Sequence, residues 1–291
     1  LLNYANLSNA QLVINIKNKG GEVFQEKIIA NTTEDTIQLE YRYTDDSVIT
    51  QFIDFKNDIQ IARIILLGEE ERGDQNQYES FCFITLLNRS DLISSDAMSK
   101  LRQRNPGTIR QADKDKGKEI FEMDYAIEPK KSSVLSPHIV KLCDSSSNGL
   151  NVTQTFAREI DIRYLANSKA FTLDSLAPAA FKLSSSLATP KPVRCNQLSQ
   201  EVSQNFIDQN MNESLRLPTL TTTSTSMKMN AIKCECGIYI CIPWYPCGLK
   251  YCKEKDSSGK TINYKCGIST CKKCILFKFQ VSKKQSCLWD E

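Results

Sequence analysis

Sulfur dominates the reactive side chains of this 291-residue chain. Its twelve cysteines are Cys82, Cys143, Cys195, Cys234, Cys236, Cys241, Cys247, Cys252, Cys266, Cys271, Cys274 and Cys287. Nine of them crowd into residues 234–291, about 16% of that stretch, above the ~8–10% that marks a disulfide scaffold. Two precede Cys195 and ten begin with it, so both sets can close into pairs. Structural zinc is the competing chemistry, and four-thiolate sites usually draw on two CxxC knuckles. Here there is one, Cys271-Lys272-Lys273-Cys274; Cys234-Glu235-Cys236 is too tight, and the Cys247/Cys252 and Cys266/Cys271 intervals are four residues wide. Spacing favours bridges, so no metal or cofactor is expected. Bridges persist in oxidising compartments, where they restrict the unfolded states of modules with little core. The expected location is therefore secreted and extracellular.

Five N-x-[ST] sequons, at Asn6, Asn31, Asn88, Asn151 and Asn212, fit the same route as glycosylation acceptors. The sequence opens on Leu1 without a charged–apolar–small leader, and is read as numbered after a removed signal peptide.

Other chemistry is sparse. Nucleophilic catalysis by Ser or Cys normally needs an adjacent base, most often histidine. The one histidine, His138, follows Ser136-Pro137 at an expected helix start and reads as a capped-helix or core residue. No G-x-S-x-G elbow, P-loop, G-x-G-x-x-G or H-E-x-x-H occurs, so the expectation is not an enzyme. Asp54 is different. In SVITQFIDFK one strand face carries Val48, Thr50, Phe52 and Asp54, the other Ile49, Gln51, Ile53 and Phe55. Both faces are largely apolar, which sets this carboxylate against a hydrophobic surface; the alternative is a strand-end aspartate turned outward beside Lys56.

Net charge is +3, too balanced to call for a nucleic acid, and the longest aliphatic run, Ile64–Leu67, is far short of the ~18 apolar residues of a membrane span. Charge is uneven, however. Residues 234–291 hold ten lysines against five acids, hence +5, leaving −2 for the remainder, and eight aromatics are interleaved. Such a surface could attract acidic glycans or acidic partners; the plainer reading is lysines solvating a disulfide knot.

The elements that must position these residues are mostly strands. Residues 9–67 alternate apolar and polar between turns at Gly20-Gly21, Asn31–Asp35 and Asp45-Asp46, and YESFCFITLL continues the pattern with Cys82 inside it. Ser94 or Ser95 caps an expected helix over 94–105 holding Met98 and Leu101; KEIFEMDYAI returns to strand; Ser136-Pro137 opens a short helix toward Cys143. A helix is expected around Phe156–Leu165. Residues 183–232 have linker composition, including LTTTSTS, with too few apolar side chains to offset the entropy of ordering. The expected organisation is an α+β domain over 9–182, a flexible linker over 183–232 and a basic cysteine-rich module over 233–291.

FKNDIQIARIILLGEEERGDQNQYESFCFITLL, SSDAMSKLRQRNPGTIRQAD and the ending WYPCGLKYC…YKCGISTCKKC…CLWDE resemble the Out at first family, from about residue 10 to the end apart from the polar linker. The resemblance implies a secreted protein with a BRICHOS-like first domain: an antiparallel sheet flanked by helices, with one strand aspartate and two bridged cysteines. Asp54, Cys82 and Cys143 fit those places, which implies a Cys82–Cys143 bridge and a structural or pH-sensing carboxylate at Asp54. Relative to the family, Cys241 and Cys274 look like additions, which suggests that they pair with each other. The expected partner is an extracellular protein or extended peptide met by strand addition at the sheet, with acidic glycans on the basic module as the alternative.

Overall fold

The computed structural model describes residues 9–17, 20–43, 47–67, 78–144, 153–172, 175–176, 193–194, 234–255, 260–281 and 287. The chain divides into two compact units, Leu1–Leu183 with Tyr239–Leu276, and Ser184–Ile238 with Phe277–Glu291. Apart from Val193 and Arg194, the linker expected over 183–232 lies outside the described residues.

The first unit is α+β and mostly sheet. Alternating segments form β1 (Asn9–Lys17), β2 (Val23–Asn31), β3 (Thr36–Arg42), β4 (Val48–Asp54), β5 (Ile59–Leu67) and β6 (Tyr78–Leu86), each antiparallel to the next. The turns β2–β3 and β4–β5 each end on an aspartate with positive φ, Asp35 at 54° and Asp58 at 55°, a left-handed conformation Asp tolerates better than most residues. The sheet is completed by β7 (Ile109–Arg110), parallel to β1, and by β10 (Thr153–Ala157), parallel to β6 and followed by β9 (Tyr125–Ala126), giving the order β7-β1-β2-β3-β4-β5-β6-β10-β9.

Strand alternation sends two side-chain sets to opposite faces. On one face Phe52, Ile59, Ile61, Cys82 and Ile84 pack with Ile127, Leu135, Ile139, Cys143, Ala157, Ile162 and Leu165, joining the sheet to α2 (Pro137–Cys143) and α3 (Glu159–Lys169). On the other, Ile14, Phe24, Ile28, Ile37, Leu39, Tyr41, Ile53 and Ile64 are buried. That face meets α1 (Ser95–Ser99) and the inner part of a long hairpin, β12 (Cys234–Lys255) with β13 (Thr261–Val281). The Tyr41 hydroxyl donates to the Trp244 carbonyl at 3.3 Å, the Tyr43 hydroxyl to that of Cys241 at 2.9 Å, and the Ile93 N–H to that of Pro246 at 3.3 Å. The other neighbour of β13 is β8 (Lys114–Met123).

In the second unit β11 (Val193–Arg194) lies parallel to the start of β12, Val193 opposite Cys234 and Arg194 opposite Glu235. Cys236 is bridged to Cys287, and Lys278 pairs with Glu235 at 3.2 Å.

Two helix expectations shift. Ser94 caps α1, its hydroxyl accepting from the Ala97 N–H at 3.3 Å, but the helix ends at Ser99, so Leu101 falls beyond it. Phe156 is not helical: it lies in β10 opposite Phe83, its ring 6.0 Å from that phenyl, and α3 begins only at Glu159. Pairing with β6 and burial against its aromatics outweigh local helical spacing.

Candidate functional site

Asp54 is the last residue of β4 and is 1% exposed, so the outward-facing alternative fails. Its Oδ1 accepts from the Asn57 N–H at 3.1 Å, and its Oδ2 from Asn57 Nδ2 and Ser136 Oγ, each at 2.7 Å. Ser136 is the N-cap of α2, and its Oγ in turn accepts from the His138 N–H at 3.2 Å. Proline at the first helical position removes a donor that would otherwise need a partner. From α3, Lys169 Nζ donates to Asn57 Oδ1 at 2.7 Å and to the Leu135 carbonyl at 2.5 Å. One carboxylate thus ties a hairpin turn, a helix start and, through Asn57, a second helix end. Desolvation lowers the Lys169 ammonium from its ordinary value, opposed by Asp54 and Asp58. His138 does the modest work its position implied, its ring centroid 4.7 Å from that of Phe52.

The same helix ends on Cys143, bridged to Cys82 of β6 with both sulfurs in the core. The remaining described bridges are Cys236–Cys287, Cys241–Cys274, Cys247–Cys271 and Cys252–Cys266, and no described cysteine is free. Three of them cross the β12–β13 hairpin of the first unit like rungs. The side chains of Cys195 and Cys234 lie outside the described residues, as do the sequons at Asn6, Asn151 and Asn212. Asn31 and Asn88 are described. The Oδ1 of Asn31, the last residue of β2, accepts from the Thr33 and Glu34 N–H groups of the following turn, and that of exposed Asn88 from the backbone and hydroxyl of Ser90, capping a short 3-10 helix. Among the described residues no three His, Cys, Asp or Glu side chains converge to hold a metal ion.

The hairpin separates its lysines into two groups. Near the body each has an acid: Lys250 pairs with Asp113 at 2.8 Å, Lys272 with Asp115 at 3.2 Å, and buried Lys273 with Asp91 at 3.5 Å and Glu119 at 3.4 Å. Hydrogen bonds from Lys250 and the Thr270 N–H hold the Asp113 carboxyl below the usual carboxylate range. Toward the tip, Lys253, Lys255 and Lys265 are exposed and form no ion pair among the described residues. Beside them Tyr251 is 63% exposed, Ile262 49% and Tyr264 45%, and Glu254, Lys255, Ile262 and Tyr264 line a shallow groove.

Glu26 was overlooked in the sequence. It lies opposite Tyr41 in the β2–β3 register and is fully buried, with no donor in hydrogen-bonding geometry to either carboxyl oxygen among the described residues. Desolvation holds its carboxyl well above the usual range, opposed by the Tyr41 phenol, which is itself pushed up by burial and then by Glu26. The signal was available: Phe24, Glu26, Ile28 and Ala30 share one strand face.

Comparison with known proteins places these features in a lineage. The family model described as "Out at first" matches residues 10–165, and "Out at first, C-terminal" matches residues 223–291. The chain belongs to the Out at first family. It is 42% identical to an Out at first protein of Drosophila virilis, over the whole chain and 86% of that relative. It is 41% identical to the Drosophila melanogaster Out at first protein, again over the whole chain but only 54% of that relative's length. No solved structure matches. The two family matches leave residues 166–222 between them, which is most of the polar stretch expected to be a linker, and the second takes in the whole disulfide-crossed hairpin.

Proposed function

We propose that this chain is a secreted, non-enzymatic glycoprotein that works by extracellular recognition, and that the outer β12–β13 hairpin is the recognising surface, with an acidic glycan or acidic protein surface as partner. One observation carries the reading: the lysines near the body are each paired with an acid, whereas Lys253, Lys255 and Lys265 at the tip are exposed and form no ion pair among the described residues. Cations neutralised by structural partners are committed to the fold; unpaired ones beside exposed Tyr251 and Tyr264 are available to a ligand. Five described disulfides support extracellular work. The intact chain on immobilised heparin tests it. Elution above the ionic strength of ~0.15 M salt supports the reading, and release below it removes the glycan partner.

A second reading is favoured by the sheet edge. The body of the sheet is covered on both faces, but β7 pairs β1 only at Asn15 and Ile16, and at this end Val13 and Val23, on the face that bears α2 and α3, are exposed. An extended peptide would add there, along Gln11–Ile14, as a further strand. Unchanged fibril kinetics when the intact chain is added at stoichiometric ratio to an aggregating β-peptide would remove this chaperone-like component.

A further inference from the structure

The five described disulfides differ in access. Cys82, Cys143 and Cys271 are fully buried, Cys236 nearly so, and Cys287, Cys241, Cys274 and Cys247 are buried or half-buried. Only Cys252–Cys266 has an exposed member, Cys266, and its partner Cys252 is half-buried. This bridge is also the outermost, closing a sequence separation of 14. Strand alternation sets Lys250 and Glu254 on the face of Cys252 and turns Lys253 and Lys265, next in sequence to the two cysteines, to the opposite face. Thiol–disulfide exchange needs a thiolate to reach a sulfur, and it speeds up as the departing thiolate is stabilised. Access to an attacking thiolate therefore singles out this bridge among the described ones.

We infer that Cys252–Cys266 is a thiol-exchange site, its co-reactant a low-molecular-weight thiol. The incoming thiolate attacks Sγ of Cys266; a new S–S bond forms there, the Cys252–Cys266 bond breaks, and Cys252 leaves as a thiolate. A second thiol of the same class attacks the mixed disulfide, giving one small-molecule disulfide and two reduced cysteines, so two thiols are oxidised as one protein bridge is reduced. The consequence is local. The arm is pinned below the opened bridge by Cys247–Cys271, by the Lys250–Asp113 pair, and by the reciprocal contacts of Asp113 with Thr270, in which the Asp113 N–H donates to Thr270 Oγ1 at 3.0 Å and the Thr270 N–H to Asp113 Oδ2 at 3.2 Å. Reduction loosens the outer arm, including Tyr251, Ile262 and Tyr264, and leaves the body intact. The exchange chemistry stands independently of what the arm binds; the effect on recognition rests on the proposed function.

The test uses the intact oxidised chain, pulsed with limiting glutathione, alkylated and peptide-mapped by mass spectrometry. The expected result is labelling of Cys252 and Cys266 at least tenfold faster than any other pair. Equal or faster opening of another bridge overturns the site. Heparin elution of the pulsed protein then reads the coupling separately: an unshifted elution with fast labelling refutes only the link to recognition.

Discussion

Replacing Asp54 by alanine removes an acceptor shared by three donors, Asn57 N–H, Asn57 Nδ2 and Ser136 Oγ. A buried donor left without an acceptor costs about 1–3 kcal/mol. Asn57 is half-buried and can recover part of its hydrogen bonding from water, whereas Ser136 is fully buried and cannot. The sum for Asp54→Ala is therefore about 3–5 kcal/mol, a large share of the ~5–15 kcal/mol that holds a typical fold. At ~2–4 °C per kcal/mol for a unit of this size, melting should fall by roughly 6–20 °C. Asp54→Asn is gentler. Its amide keeps one acceptor oxygen but turns an NH2 toward Asn57 Nδ2 and Ser136; the serine hydroxyl can rotate to accept, while Asn57 can relieve the clash only by flipping its own amide away from Lys169. One lost bond implies about 1–3 kcal/mol. Thermal and urea unfolding of the disulfide-intact variants, followed by circular dichroism, read both values. A loss under ~0.5 kcal/mol for Asp54→Ala, the usual size of a surface substitution, would refute the claim that this carboxylate organises the turn and the helix start.

Further outcomes follow from the other buried or paired groups. The raised carboxyl of Glu26 means that the folded state retains a proton the unfolded chain gives up, so its contribution is fully present below the ordinary carboxylate pKa and is lost as pH rises through the folded value. Glu26→Gln should therefore raise the melting temperature at neutral pH and flatten that part of the pH profile; a lower melting temperature with the slope intact would contradict it. Tyr41→Phe should cost about 0.5–1.5 kcal/mol through the lost bond to the Trp244 carbonyl, measured by urea unfolding, and no change would show that bond to be idle. Replacing both Cys82 and Cys143 by alanine should cost about 2–5 kcal/mol, and retention of native melting would contradict a stabilising role for the bridge.

Much of the first sheet could be read from alternation, because a half-buried strand must send every second side chain to the core. The helix start at Ser136-Pro137 was legible for an equally local reason, a cap and a proline that fit one position. Asp54 left two orientations open because both faces of its strand are apolar; only the placement of Ser136, 82 residues away, decides between them. The cysteine crowding announced bridges but not their shape. Pro243 and Pro246 interrupt β12, and prolines argue against a long strand, so a small knot was the natural reading. Pairing with β13 and disulfides across the hairpin carry the strand through both, which no local pattern encodes. The division of lysines into paired and unpaired groups is likewise invisible in a count of ten, since the acids that neutralise some of them lie more than a hundred residues earlier.

The claim that the hairpin tip does the recognising is tested most directly by reversing its charge alone. Native chain and a Lys253→Glu/Lys255→Glu/Lys265→Glu variant, both with their bridges intact, would be titrated against a heparin oligosaccharide across a salt series. The account predicts native binding that weakens steeply with salt, and a variant that folds and melts like the native chain but has lost that binding. Equal affinity and equal salt dependence in the two proteins would contradict it.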